Sequence, residues 1–151
     1  MCDDPHPAKN PAYINDDNPL TWIAVVHNKS HQQIVFYAID HCIEIIRCDG
    51  KQEKRCDGVI KIDNSLIFVE LKSSKRNGSG WLKDGIKQIA ATIDVFKDNV
   101  DIGKFDKIEA YVCNQLKPFA NQGHTTQIQR FKDDTGGIIL RAQRDINLSS
   151  T

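Results

Sequence analysis

The sequence predicts an α/β sandwich with one mixed sheet, and three features of its hydrophobic pattern predict it. Short apolar stretches bounded by turn residues fill the region between residues 43 and 73. The best amphipathic helix of the chain follows at Trp81–Val100, and an alternating stretch, Lys107–Asn114, follows that helix. With a helical pattern before the first strand, the order is helix, three-strand meander, helix and strand. That order favours a central four-stranded mixed sheet flanked by helices, to which a C-terminal hairpin is added.

Length and composition restrict the chain to one ordinary globular domain. It has 151 residues, of which 40% are hydrophobic and 26% are charged, as in folded rather than disordered proteins. Its 20 basic and 20 acidic residues balance, which excludes a strongly basic, histone-like protein but allows a local basic patch. The five cysteines show no C-x-x-C spacing, so we expect reduced thiols in a cytoplasmic protein. No apolar run has the length of a membrane span, and the N-terminus lacks the apolar core of a signal peptide.

The first 42 residues are predicted to form an arm and a helix. Residues 1–19 contain four of the five prolines and several aspartates, which is typical of an extended, partly mobile arm. The single domain is then expected at 20–151. From Leu20 to Cys42 apolar residues recur at helical intervals, so we predict a helix that is interrupted near Asn28–Ser30.

The remaining elements follow from strand periodicity and turn residues. Before the long helix, the predicted strands are Ile43–Cys48, Arg55–Ile62 and Leu66–Ser73, with turns at Asp49-Gly50 and Asp63–Ser65. After the strand Lys107–Asn114, residues 116–124 are predicted as a loop. The last predicted element is a hairpin of Thr126–Phe131 and Ile138–Ala142 around Asp133–Gly137, with a frayed tail beyond Arg144.

Two carboxylates and a lysine are predicted to meet on the second and third strands. Residues two apart in a strand point to the same face, so Glu70 and Lys72 share a face. If Asp63-Asn64 are the central residues of a tight turn, Asp57 lies opposite Glu70, with β-carbons about 4.5–5.5 Å apart. Carboxylates that close repel unless one is protonated or a cation lies between them. A hard divalent cation such as Mg²⁺ suits such a site, and Lys72 can activate water or neutralise phosphate charge.

An Asp followed one strand later by Glu-x-Lys, on a hairpin that precedes an amphipathic helix, resembles the PD-(D/E)xK nuclease superfamily. The resemblance covers roughly residues 31–114 and rests on Asp57, Glu70 and Lys72. It implies a restriction-endonuclease-like three-layer fold and hydrolysis of phosphodiester bonds with Mg²⁺, for which Mn²⁺ can substitute. It also implies that the two acids bind the metal. Several families add a glutamine on the following helix, and Gln88 matches that position.

Two departures from the family pattern leave an alternative open. Cys56 stands where the family often has proline, although that position varies widely. The predicted first helix lacks the acid that often completes the site; Asp40 and Glu44 are the nearest acids, and we expect Glu44 to project toward the metal. The alternative is a nuclease-like binding module or immunity-type protein that acts through a protein partner, with Glu-x-Lys as an ordinary ion pair.

A basic stretch follows the expected site. Lys75 and Arg76 lie in the loop after the Glu-x-Lys strand, and Lys83 and Lys87 lie on the next helix. Such residues beside a phosphate-cleaving site suit contact with a nucleic-acid backbone, although a solubilising loop has the same composition. We therefore expect nucleic acid as the partner, with DNA as the first candidate, and no membrane partner. A homodimer or a protein partner stays open.

Overall fold

The structure is a computed structural model that describes residues 1–4, 10–74, 80–117 and 124–148. The strands are β1 (Val25–His27), β2 (Ile34–Ala38), β3 (Gly58–Ile62), β4 (Ser65–Lys72), β5 (Lys107–Asn114), β6 (Ile139–Arg141) and β7 (Asp145–Asn147). The α-helices are α1 (Gly80–Asn99) and α2 (Thr125–Thr135). Single 3₁₀ turns occur at Pro19–Thr21 and Ile102–Lys104. Within these ranges, no helix is long and apolar enough to cross a membrane.

The main sheet is mixed and has five strands in the order β2-β3-β4-β5-β6. β2, β3 and β4 form an antiparallel meander, whereas β4, β5 and β6 run parallel. The two parallel connections pass through α1 and α2, as parallel strands require a crossover. The α/β class, the mixed sheet, the hairpin Gly58–Lys72, the long helix and the strand Lys107–Asn114 are confirmed. The predicted four strands are wrong, because β6 extends the sheet beyond β5.

Each face of the sheet is covered by a different layer. On one face, Leu66 and Phe68 of β4 pack with apolar residues of α1 and α2. On the other face, Ile67 and Val69 pack with Ile146 of β7 and with residues of the N-terminal segment. β1 and β7 form a separate parallel pair. In the described ranges, both α-helices therefore pack on the same face of the sheet. The expected sheet flanked by helices is wrong in this respect, because β7 and the N-terminal segment cover the other face.

The predicted helix Leu20–Cys42 is wrong, because this segment forms a 3₁₀ turn and the strands β1 and β2. Its β-branched and aromatic residues favour extended backbone, although their spacing also fits a helix. Pairing with distant strands decides in favour of strands. The loop between the strands is closed by Asn28, which accepts a hydrogen bond from the Gln32 N–H at 3.0 Å and donates one to the Gln32 carbonyl at 2.8 Å. The interruption expected near Asn28–Ser30 is therefore a turn closed by hydrogen bonds between Asn28 and Gln32.

Three further predicted elements differ from the structure. Ile43–Cys48 is a loop with one isolated bridge, Ile46 to Gln52, around the turn at Gly50. Thr126–Phe131 lies in α2, because Ile128 and Phe131 face the core at helical spacing. Ile139–Arg141 is a strand, but it pairs in parallel with β5 and not in a hairpin.

Both ends of the described chain pack on the domain. The tail predicted to fray forms β7, and Ile146 is fully buried there. In the arm 1–19, Met1, Cys2 and Ala12 are buried, and Cys2 and Tyr13 exchange two backbone hydrogen bonds of 2.9 and 3.0 Å. Of the predicted loop 116–124, residues 118–123 lie outside the described residues.

Candidate functional site

The β3–β4 hairpin has the register that the turn residues predict. Ile62 pairs with Ser65, and the pairing continues to Gly58 opposite Val69. Asp63 occupies the turn with a φ of +45°, a conformation that Asp tolerates better than most residues. One more step along the same register brings Asp57 opposite Glu70 on the face that α1 covers.

Contacts on both sides fix the backbone at Asp57. The Ile39 N–H donates to the Asp57 carbonyl at 2.9 Å, which ties this position to the end of β2. The Cys56 N–H donates to Oγ1 of the fully buried Thr92 on α1, also at 2.9 Å. At Gly58 a β-carbon would lie 2.3 Å from the Phe36 ring, so only glycine lets β2 approach this closely. The strand end is therefore held by the sheet edge and by the helix.

Both carboxylates are buried, and one oxygen has no partner. Asp57 is 6% exposed and Glu70 is 2% exposed. Asp57 Oδ2 accepts a hydrogen bond from the Leu71 N–H at 2.5 Å, and Glu70 Oε1 lies 2.5 Å from Lys72 Nζ. Glu70 Oε2 has no hydrogen-bond partner among the described residues. Buried charge without a partner is costly, so a cation or a proton at this oxygen would stabilise the site.

Burial raises the pKa of both acids. Burial raises the pKa of Asp57 to about 7, although the hydrogen bond from the Leu71 N–H lowers it in part. Burial also raises the pKa of Glu70 well above its ordinary value, with the charge of Asp57 as the next cause and Lys72 opposing. Lys72 opposes the raised pKa of both acids, but burial has the larger effect and disfavours two ionised carboxylates side by side.

Lys72 and Gln88 complete the group that the sequence predicts. Lys72 Nζ donates to Gln88 Oε1 at 2.7 Å, and Gln88 Nε2 donates to the Arg55 carbonyl at 3.1 Å. The Lys72 side chain keeps 21% of its surface exposed. The structure therefore brings Asp57, Glu70, Lys72 and Gln88 together, with the two acids buried and the lysine and the glutamine partly exposed.

A third acid enters the site from the segment after β2, and it is Asp40. Asp40 is held by Arg55 Nε at 3.2 Å and by His41 Nε2 at 3.1 Å, and its charge contributes to the raised pKa of Asp57 and of Glu70. Glu44, the acid expected to face the metal, is exposed, and no interaction in the described ranges joins it to either acid. Glu44 misses the site because Ile43–Cys48 is not a strand.

A fourth acid comes from the N-terminal segment, which sequence reasoning assigned to a mobile arm. Asp3 acts electrostatically on Asp57 and on Asp40, and its own pKa is raised, first by burial and then by the charge of Asp40. The aspartates of the segment are visible in the sequence, but nothing local to them indicates contact with residues more than 35 positions away. Only the packing of Met1 and Cys2 on the core places Asp3 here.

Two carboxylates of the site, those of Asp57 and Glu70, are available to bind a metal ion. Among the described residues, no group of three or more His, Cys, Asp or Glu side chains is arranged to hold a metal ion. The expected ligand set of Asp57, Glu70 and Glu44 is therefore not formed. Mg²⁺ in proteins commonly uses one or two carboxylates and keeps several waters. Asp57 and Glu70 fit that mode, because Glu70 Oε2 is buried and unpaired.

The basic residues predicted to bind nucleic acid do not all adjoin the acids. Lys75 and Arg76 lie outside the described residues. Lys83 and Lys87 line a groove of about 490 Å³ between α1 and α2, together with Arg130. This groove lies across α1 from Gln88, on the side of the helix that faces α2.

The chain was compared with protein-family models, with curated proteins and with solved structures, and none of them matches it.

Proposed function

We propose that the protein is a Mg²⁺-dependent nuclease that hydrolyses phosphodiester bonds, with DNA as the first candidate substrate. The observation that carries the proposal is the buried pair Asp57 and Glu70, in which Glu70 pairs with Lys72 and Asp57 accepts a hydrogen bond from the Leu71 N–H. Burying two facing acids lowers stability unless a ligand compensates them, and strongly perturbed carboxyl groups cluster at functional sites. A divalent cation is the ligand whose charge would balance this pair.

The side chains of the site suit distinct tasks in this reaction. Asp57 and Glu70 would hold Mg²⁺, which when bound supplies Lewis acidity and a nucleophile at neutral pH. Lys72, the partly exposed cation of the group, would donate to a phosphate oxygen or orient the attacking water. Gln88 fixes the Lys72 ammonium and is itself fixed by the Arg55 carbonyl. The hydrogen-bond chain thus positions the lysine before substrate arrives.

The topology supports the same proposal. An antiparallel meander β2-β3-β4, followed by α1 and a parallel β5, puts the Asp and the Glu-x-Lys on adjacent strands under a helix that carries the Gln. We propose that these elements correspond to the core of the restriction-endonuclease-like fold. Lys83, Lys87 and Arg130 would then guide a phosphate backbone over α1, with Lys75 and Arg76 preceding the helix.

Two observations favour the second candidate, a binding module that has lost catalysis. The described residues contain no three-ligand metal group, and the segment expected to form the first helix is folded as strands. In that case the cluster of Asp3, Asp40, Asp57 and Glu70 would serve recognition or be neutralised by protonation. The two candidates differ in whether divalent metal binds at Asp57 and whether cleavage follows.

The test measures Mn²⁺ binding by calorimetry and Mg²⁺-dependent cleavage of duplex DNA, single-stranded DNA and RNA. We expect Asp57→Asn to abolish metal binding, and Lys72→Met to retain metal binding but lose about 10²–10³-fold in cleavage rate. Asp63→Asn is the matched control, because Asp63 is an exposed acid at the far end of the same hairpin. Metal binding without cleavage of any substrate would favour the binding module. Wild-type cleavage by Asp57→Asn would place the active site elsewhere.

A further inference from the structure

β2 is an edge strand of the five-stranded sheet and lacks the usual protection of such strands. It pairs with β3 on one side, and no strand of the described part of the chain pairs with its other side. Its sequence, Ile34–Ala38, contains no charged residue, proline or glycine. Monomeric proteins commonly protect an exposed edge with lysine, proline, a bulge or a covering segment. An apolar, regular edge is therefore a surface suited to pairing with another strand.

The register shows which backbone groups of β2 point outward. Ile39 donates its N–H to its register partner Asp57, so residues in step with Ile39, namely Val35 and Tyr37, direct their polar groups toward β3. The intervening residues Ile34, Phe36 and Ala38 direct theirs to the open edge. Within the described ranges, no hydrogen bond joins those outward groups to a strand, loop or side chain. With respect to the described residues, these three residues thus present unpaired donors and acceptors in a row.

The helix side of this edge also carries apolar residues that remain partly exposed. Val35 and Tyr37 pair with Lys61 and Val59, and Val59 belongs to the core under the helices. Because α1 packs over β4 and β5, Val35 and Tyr37 remain 39% and 49% exposed. Further exposed apolar residues follow β2 in the chain: Ile43 and Ile46. The edge therefore offers both hydrogen bonds and side chains to a partner.

We propose that β2 pairs antiparallel with β2 of a second copy of this chain, which joins the two sheets into one. About a two-fold axis at Phe36, Val35 lies opposite Tyr37 of the second copy and Ile34 lies opposite its Ala38. Past the strand end, Asp40 of one copy would face the uncharged Gln32 of the other copy, so no like charges meet there. The chain carries no net charge, so copies do not repel one another at long range. The strand is thus complementary to itself, which an isologous dimer requires.

The dimer is expected to be of moderate affinity. A five-residue strand pair buries less than the standard interface of about 1,600 Å², although Ile43 and Ile46 can add to it. We therefore expect a dissociation constant in the micromolar range, about 1–100 μM. The proposal is independent of catalysis, because it uses neither Asp57 nor Glu70.

A charge-swap pair tests the contact, read by sedimentation equilibrium across the micromolar range. One variant carries Val35→Lys and Tyr37→Lys; the other carries Val35→Glu and Tyr37→Glu. Because position 35 faces position 37 across the axis, each variant alone should dimerise at least about 10-fold more weakly than wild type. Their equimolar mixture should dimerise again. Ile139→Lys, on the opposite edge strand β6, is the control and should leave dimerisation unchanged.

Hydrogen exchange of the wild-type protein supplies a readout that needs no variant. The amides of Ile34, Phe36 and Ala38 should exchange more slowly at high protein concentration, whereas those of Val35 and Tyr37 should not change. A wild type that stays monomeric through the micromolar range overturns the proposal. A mixture of the charge-swap variants that remains monomeric also overturns the proposal. The same holds if the dimer is lost in Ile139→Lys but retained in both β2 variants.

Discussion

At the scale of single residues, the burial of Asp57 makes the stability of the protein depend on pH. The pKa of Asp57 is about 7, chiefly because it is buried, against an ordinary value of 3.8. Between these two values the folded state binds more protons than the unfolded state, so stability falls as pH rises through that window. A shift of this size corresponds to about 4 kcal/mol when the carboxyl is fully ionised.

We predict that Asp57→Asn removes this pH dependence. In metal-free buffer, the free energy of unfolding of wild type should fall relative to that of Asp57→Asn as pH rises from about 4 to about 7. The asparagine oxygen can still accept the Leu71 N–H, so the local geometry is retained. Urea denaturation at several pH values measures the difference. Parallel pH profiles for the two proteins would mean that Asp57 titrates normally.

The residues of this site were predictable to different degrees. Asp57 opposite Glu70 follows from counting back from the turn at Asp63, because a tight turn fixes the register of a hairpin. Asp40 and Asp3 reach the same region through the end of β2 and the packing of the N-terminal segment. Such contacts are tertiary, and no local pattern in the sequence encodes them.

At the scale of elements, α1 is positioned on the sheet by a close approach at Gly85. A β-carbon there would lie 2.6 Å from Val112 Cγ1 and 3.3 Å from Glu70 Cγ. Glycine is therefore required in the middle of this helix, despite its low helix propensity, because it lets the helix backbone approach β4 and β5. The contact with Glu70 links helix packing directly to the site.

We predict that Gly85→Ala destabilises the protein by about 1–3 kcal/mol, although alanine favours a helix by about 1 kcal/mol. Gly80→Ala is the control, since a β-carbon at Gly80 would meet no atom within 4 Å. That variant should be as stable as wild type or slightly more so. Both free energies of unfolding can be read from urea denaturation. Equal stability of the two variants would show that α1 does not approach the sheet as described.

Helices and strands were predicted well where the apolar residues followed a single periodicity. They were predicted poorly where the apolar residues fitted both helical and strand periodicity. α1 combines a long apolar stripe with polar flanks, and β3 and β4 are separated by a clear turn. Leu20–Cys42 has apolar residues that satisfy helical spacing and also lie in two short β-rich stretches. Pairing with β3 and β7 decides between these readings, and both partners are distant in sequence.

At the scale of the whole molecule, the C-terminal strand is part of the core. Ile146 is fully buried among residues from β3, β4, β5 and the N-terminal segment. Arg144 adds a hydrogen bond from Nη2 to the Trp22 carbonyl at 2.9 Å. The second face of the sheet is therefore closed by the two ends of the described chain together.

We predict that Ile146→Ala lowers the free energy of unfolding by about 2–5 kcal/mol, because it leaves a cavity in that core. Ile139→Ala, at a position that is 43% exposed, is the control and should cost less than about 1 kcal/mol. Thermal or urea denaturation compares them. A cost for Ile146→Ala no larger than that of the control would mean that β7 frays, as the sequence alone suggested.

The pairing of β1 with β7 also sets an order of events during folding. His27 and Asp145, which meet across this pair at 2.6 Å, are 118 positions apart in the chain, whereas the two strands of the β3–β4 hairpin are joined by a two-residue turn. Closing a long loop costs more entropy than closing a short one, and contacts between distant residues slow folding. During synthesis the hairpin with Asp57 and Glu70 can form early, but β1 has no strand partner until residue 147 has left the ribosome. Until then the N-terminal segment is the part of that core available to cover Ile67 and Val69, and Ile146 joins them last.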